Sequence, residues 1–119
     1  MSYVVNETKE LLRPAADALA MAREILIQLG GKRPRNVPDV ADQVQAEFNK
    51  EVGGRAFANR VRVIVRVAGD AARCTTSVEA YPVDPLGNRL QFGVVGEPAR
   101  FVAGVIWERL DARLGPAPR

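Results

Sequence analysis

The sequence predicts a two-layer α+β fold in the order ααβββα, a three-stranded antiparallel meander with helices packed on one of its faces. Three observations carry this reading. Apolar residues recur at helical spacing near both ends of the chain, the period switches to two between Asn59 and Val67, and turn residues separate the segments that follow at short intervals.

The first helix runs from Pro14 to Leu29, where Ala18, Ala22, Ile25 and Leu29 form a stripe. Pro14 suits a first turn, since the donor that proline lacks has no partner there, and Gly30-Gly31 supplies the stop. A basic loop follows over about residues 30–36. Val40, Val44, Phe48 and Val52 are spaced four apart, which predicts a second helix from about Pro38 to the Gly53-Gly54 stop.

Val61, Val63, Val65 and Val67 alternate with Arg60, Arg62, Ile64 and Arg66, the signature of a half-buried strand. A two-residue turn at Gly69-Asp70 then sets Val65 against Cys74, Val63 against Thr76 and Val61 against Val78, in a second strand running from about Ala72 to Tyr81. Asp84-Pro85-Leu86-Gly87 has the composition of a type I turn, and Leu90, Phe92 and Val94 alternate after it as a third strand. Pro98 opens a final helix to about Leu114, and the Pro-rich residues 115–119 are expected to be disordered.

At 119 residues the expectation is one domain spanning residues 1–119. No apolar run reaches the roughly 20 residues that a bilayer crossing needs, and no secretory leader pattern opens the chain, so a soluble cytoplasmic protein without membrane partners is expected. Cys74 is the only cysteine, so no internal disulfide forms; predicted on the covered side, it reads as a small hydrophobe.

The sequence contains no histidine, which removes the usual base of hydrolytic triads and the commonest transition-metal ligand. With one cysteine besides, neither a metal nor a cofactor is expected, and no phosphate-cradling glycine loop of the nucleotide-binding kinds occurs. Glu79, Tyr81 and Asp84 lie near one end of the predicted sheet, but the turn accounts for Asp84 and a cross-strand ion pair with Arg60 for Glu79. A non-enzymatic protein is the expectation.

Charge is distributed unevenly. Residues 1–50 hold seven basic and seven acidic side chains, whereas the rest holds ten basic residues, all arginine, against seven acidic. In the predicted hairpin Arg60, Arg62, Arg66 and Arg73 project from the face opposite the valines, with Arg66 facing Arg73. Like charges so placed favour an anionic partner. Together with Lys32, Arg33 and Arg35 of the basic loop they form a candidate face for nucleic acid, on which aromatic residues for base stacking are sparse.

The final helix carries two apolar stripes, Phe101, Val102, Val105 and Ile106 on one face and Ala103, Trp107, Leu110 and Leu114 on the adjoining one. A three-stranded sheet covers only one of them. The second is open to the first helix or to another subunit, for which Phe101, Trp107, Leu110 and Leu114 are the candidate contacts. The leading expectation is therefore a binding or assembly module that associates with itself or another protein, through this helix or an open sheet edge. A nucleic-acid-binding protein is the alternative, and a small ligand-binding protein or enzyme is a third possibility without a sequence feature in its favour.

Overall fold

The computed structural model describes residues 3–34, 40–91, 93–94 and 96–114, Leu114 for its backbone only. The elements are β1 (Val5–Leu11), α1 (Ala15–Gln28), β2 (Gln43–Val52), β3 (Arg55–Gly69), β4 (Cys74–Val83) and α2 (Pro98–Leu114). The order is thus βαβββα, and the sheet has four strands, arranged β1-β4-β3-β2 with every neighbour antiparallel. No helix among the described residues is long and apolar enough to cross a membrane.

The two terminal helices form where their apolar spacing places them. Pro14 stands at the N-cap of α1, and the N–H groups of Gly30 and Gly31 turn back onto the carbonyls of Ile27 and Leu26. Gly30 takes the left-handed conformation (φ 91°) that ends many helices and that glycine adopts without steric cost. Helix α1 buries Ala18, Ala22, Ile25 and Leu26. Helix α2 buries Val102 and Ile106 together with Ala103, Trp107 and Leu110, packing on β3 and β4 and also on α1. Ala103, Trp107 and Leu110 of its second apolar stripe are therefore covered within this chain.

The predicted second helix is instead strand β2. Residues spaced four apart fall on one face of a helix, but also on one face of a strand, because four is a multiple of two. Ala46 completes the strand pattern: Val44, Ala46 and Phe48 are buried while Gln43, Gln45 and Glu47 are only half-buried. Lys50 and Asn59, both in the left-handed conformation, mark a bulge in the β2–β3 ladder.

Strand β1 lies where no strand was expected. It pairs with β4 alone, and its sequence Val-Asn-Glu-Thr-Lys-Glu-Leu carries apolar residues only at its ends, so no alternation announces it.

The β3–β4 hairpin keeps the expected faces but shifts its register. Val65 lies against Val78, Val63 against Ala80 and Val61 against Pro82, while Gly69 pairs with Cys74. The connection is longer than two residues because the Asp70 carboxylate accepts the N–H groups of Ala72 and Arg73, closing an Asx-type turn. These bonds, that of Ala72 foremost, hold the Asp70 pKa below the ordinary aspartate range. The slip is four residues, an even number, so the valines stay inside, but Arg66 faces Ser77 rather than Arg73.

The expected third strand around Leu90 to Val94 is not a strand among its described residues. The Leu90 N–H bonds the Pro82 carbonyl, and Val83 and Arg89 form a lone bridge. Phe92 lies outside the described residues, as do Arg35 and the tail over 115–119.

Candidate anion-binding cleft

Both helices cover the same face of the sheet, so the opposite face is left to side chains and to the loop after β4. Glu47 stands on that face, toward the β2 edge. On β3, Arg62 lies directly across from it and donates to its Oε1 from Nη2 (2.6 Å) and Nε (3.1 Å), and Arg60 approaches Oε2 at 3.9 Å. All three side chains are largely covered, with 16% exposure for Glu47, 17% for Arg62 and 29% for Arg60, so solvent screens them less than an ordinary surface pair. Burial acts to lower the Arg62 pKa, but bonds to Glu47 and Tyr81 outweigh it and hold the guanidinium above its ordinary value.

The turn after β4 roofs this pair. Asp84 accepts the N–H of Gly87 on its carbonyl and those of Leu86 and Asn88 on its carboxylate, the type I turn expected at this position. At Gly87 the left-handed backbone (φ 90°) favours glycine, and an added Cβ would stand 2.8 Å from Arg62 Nη2 and 3.6 Å from Glu47 Oε1, displacing the guanidinium from its place. Arg89 lies over the Tyr81 ring at 4.3 Å. The bonds to Asp84, that of Asn88 first, lower its pKa. A lowered folded pKa stabilises the turn above the ordinary aspartate range and is lost as pH falls through it. Asp84→Ala is accordingly expected to speed hydrogen exchange at the Leu86 and Asn88 amides at neutral pH, with the wild-type turn approaching that behaviour in acid.

The basic loop reaches the same place from the other side. Lys32 and Glu47 exchange both backbone bonds, N–H to carbonyl at 2.9 and 2.8 Å, which fastens the loop to the free side of β2. Lys32 and Arg33 are thereby brought beside Arg60 and Arg62. The four basic side chains line a cleft of about 370 Å3 that holds one carboxylate, Glu47, among the described residues, with Asn49 on its wall and Leu86 and Gly87 on its roof.

The other predicted residues lie elsewhere. Arg66 is on the same sheet face but bonds Glu79 (3.3 Å), and Arg73 sits in the β3–β4 connection beside Glu10 (3.0 Å). The acids across the strands already relieve the expected crowding of arginines there. Of the candidate contacts on α2, Trp107 and Leu110 are core residues, 4% and 1% exposed. Phe101 is partly exposed and meets Phe57 with ring centroids 6.1 Å apart, and the Leu114 side chain lies outside the described ones. Cys74 is buried with its Sγ 3.7 Å from the Thr76 hydroxyl. No group of three or more potential metal-ligating side chains occurs among the described residues.

Glu47 is not legible as a site residue while the four-residue spacing of its segment reads as a helix. The signal that finds it is the alternation of Gln43, Gln45 and Glu47 with Val44, Ala46 and Phe48. No protein-family model, curated protein or solved structure matches the chain.

Proposed function

We propose that the chain is a non-catalytic binding module whose cleft docks on the phosphate backbone of a nucleic acid. One observation carries the reading: two separate basic features of the sequence, the loop with Lys32 and Arg33 and the strand with Arg60 and Arg62, converge on a cleft with a single carboxylate among the described residues. Arginine forks suit phosphate oxygens, and the roofing turn and Glu47 hold Arg62 in place before any ligand arrives. The cations come from a loop and a strand rather than one helix terminus, an arrangement wider than one phosphate needs. Among the described residues no aromatic ring lines the cleft, and Tyr81 is buried beneath Arg89, so binding follows charge and shape and not base identity.

Affinity for duplex DNA is expected to fall with salt, its logarithm dropping by roughly 0.9 per contacted phosphate for each unit of log salt concentration. The double substitution Lys32→Gln with Arg60→Gln removes two contacts, so it flattens that slope by about two, measured by anisotropy of a labelled duplex. Arg66→Gln, outside the cleft, leaves the slope unchanged. Absence of wild-type binding to DNA or RNA at low ionic strength defeats the reading, and an equal effect of Arg66→Gln moves the site off the cleft.

A further inference from the structure

The sheet has two edges, and they are treated differently. Along β2 the loop at Lys32 already occupies the outer backbone groups of Glu47, and the left-handed residue Lys50 kinks the strand; both devices blunt an edge. Strand β1 has neither: among the described residues its register is unbroken over seven residues and it is bonded only to β4. We propose that β1 pairs with β1 of a second copy of this chain, antiparallel, about a two-fold axis at Thr8.

The register follows from symmetry and charge. A two-fold axis normal to the sheet sets residues facing each other whose numbers share a constant even sum, so that the helix-covered faces of both copies stay on one side. Centring on Thr8 sets Val5 against Leu11, Asn6 against Glu10, Glu7 against Lys9 and Thr8 against itself. Both ends become apolar pairs and both ionic contacts are between opposite charges. The neighbouring centres fail: one at Glu7 sets that carboxylate against its own copy, and one at Lys9 does the same with two ammonium groups. Charged residues on an edge ordinarily repel a second strand; here they select a single register. Lys9 stands on the helix-covered side of the strand, its Nζ 4.5 Å above the Trp107 ring and 3.6 Å from Asp111. Glu7 is exposed on the same side of the strand.

The product is one eight-stranded sheet whose two clefts open on the same face. Across the strands they are seven spacings apart, about 34 Å for a flat sheet, and because the row of Glu47 and Arg62 lies four residues along the ladder from Thr8 they are offset by about 27 Å along the strands, about 43 Å in all. The dimer does not depend on what the clefts bind.

Sedimentation velocity on the full chain across a micromolar series is expected to show reversible dimerisation. Glu7→Lys replaces both attractive contacts by repulsive ones and is expected to weaken it at least about ten-fold with an unchanged circular dichroism spectrum. Facing residues in an antiparallel pair have Cα atoms about 4.5–5.5 Å apart, within disulfide range. Mild oxidation is therefore expected to cross-link Thr8→Cys to itself, whereas Asn6→Cys and Glu10→Cys cross-link only when the two variants are mixed. The buried Cys74 is shielded from this chemistry. A wild type that stays monomeric at several hundred micromolar overturns the proposal, as does a dimer indifferent to Glu7→Lys, and self-cross-linking at position 6 or 10 but not at 8 overturns the register. DNA binding by the monomeric variant with an unaltered salt slope per chain leaves the cleft reading standing either way.

Discussion

Val63→Asp is expected to leave the chain largely unfolded. Val63 is fully buried, flanked by Ala46 on β2 and Ala80 on β4 beneath both helices. Aspartate there removes the branched side chain from a close-packed layer and buries a carboxylate between the apolar neighbours Ala46 and Ala80. The buried charge costs several kcal/mol and the lost packing about 1–3 kcal/mol more, against a total stability of about 5–15 kcal/mol for a domain of this size. Circular dichroism and a urea titration read the result. Arg66→Gln, which gives up one exposed pair with Glu79, is expected to change stability by no more than about 0.5 kcal/mol. Arg62, largely covered and paired with Glu47, is not an equivalent control. Arg62→Asp sets two carboxylates side by side under the roofing turn, so a substantial loss is expected there. A Val63→Asp protein with the wild-type midpoint means that the faces of β3 are reversed.

The parts of the fold legible in the sequence are those whose local signals agree with their tertiary setting. In α1 the stripe and both stop signals agree, and in β3 four valines in strict alternation leave no second period open. Strand β2 was illegible because its stripe satisfies two periods at once, and only the smaller residue Ala46 separates them. Strand β1 was illegible for a different reason. Lying on an edge, it buries Leu11 and only partly Val5, so nothing in its composition demands a strand; its position comes from pairing with β4. The hairpin register failed because the Asp70 side chain satisfies backbone donors that a two-residue turn leaves open, and no apolar pattern reports that bond.

The cleft was half legible on the same grounds. Lys32, Arg33, Arg60 and Arg62 stand out as basic residues in sequence, but their meeting depends on β2 being a strand that receives the basic loop on one side and β3 on the other. Arg73 was included through the wrong register. Its proximity to Arg66 vanishes once the connection lengthens, and each of the two arginines finds a carboxylate of its own.

The second large effect concerns α2, where two readings of the same apolar stripe lead to opposite results. If Trp107 and Leu110 faced another subunit, Leu110→Glu would yield a folded monomer. In this structure Leu110 is 1% exposed and Trp107 4% exposed, packed in the core formed by the sheet and both helices. Leu110→Glu therefore is expected to abolish cooperative unfolding, since it deletes a core side chain and buries a carboxylate. Trp107→Ala tests the same packing without introducing a charge, at about 3–5 kcal/mol for the vacated volume. Trp107→Phe separates the ring from its N–H. The indole Nε1 is buried without a partner among the described residues, so its removal sacrifices no hydrogen bond, and phenylalanine is expected to retain a clear majority of the stability lost in alanine. Thermal unfolding of the three variants beside the wild type ranks them, with Leu110→Glu lowest and Trp107→Phe nearest the parent. A Leu110→Glu protein that keeps its helical content and unfolding midpoint while its mass in solution halves would return this stripe to an intersubunit contact and remove α1 as its cover.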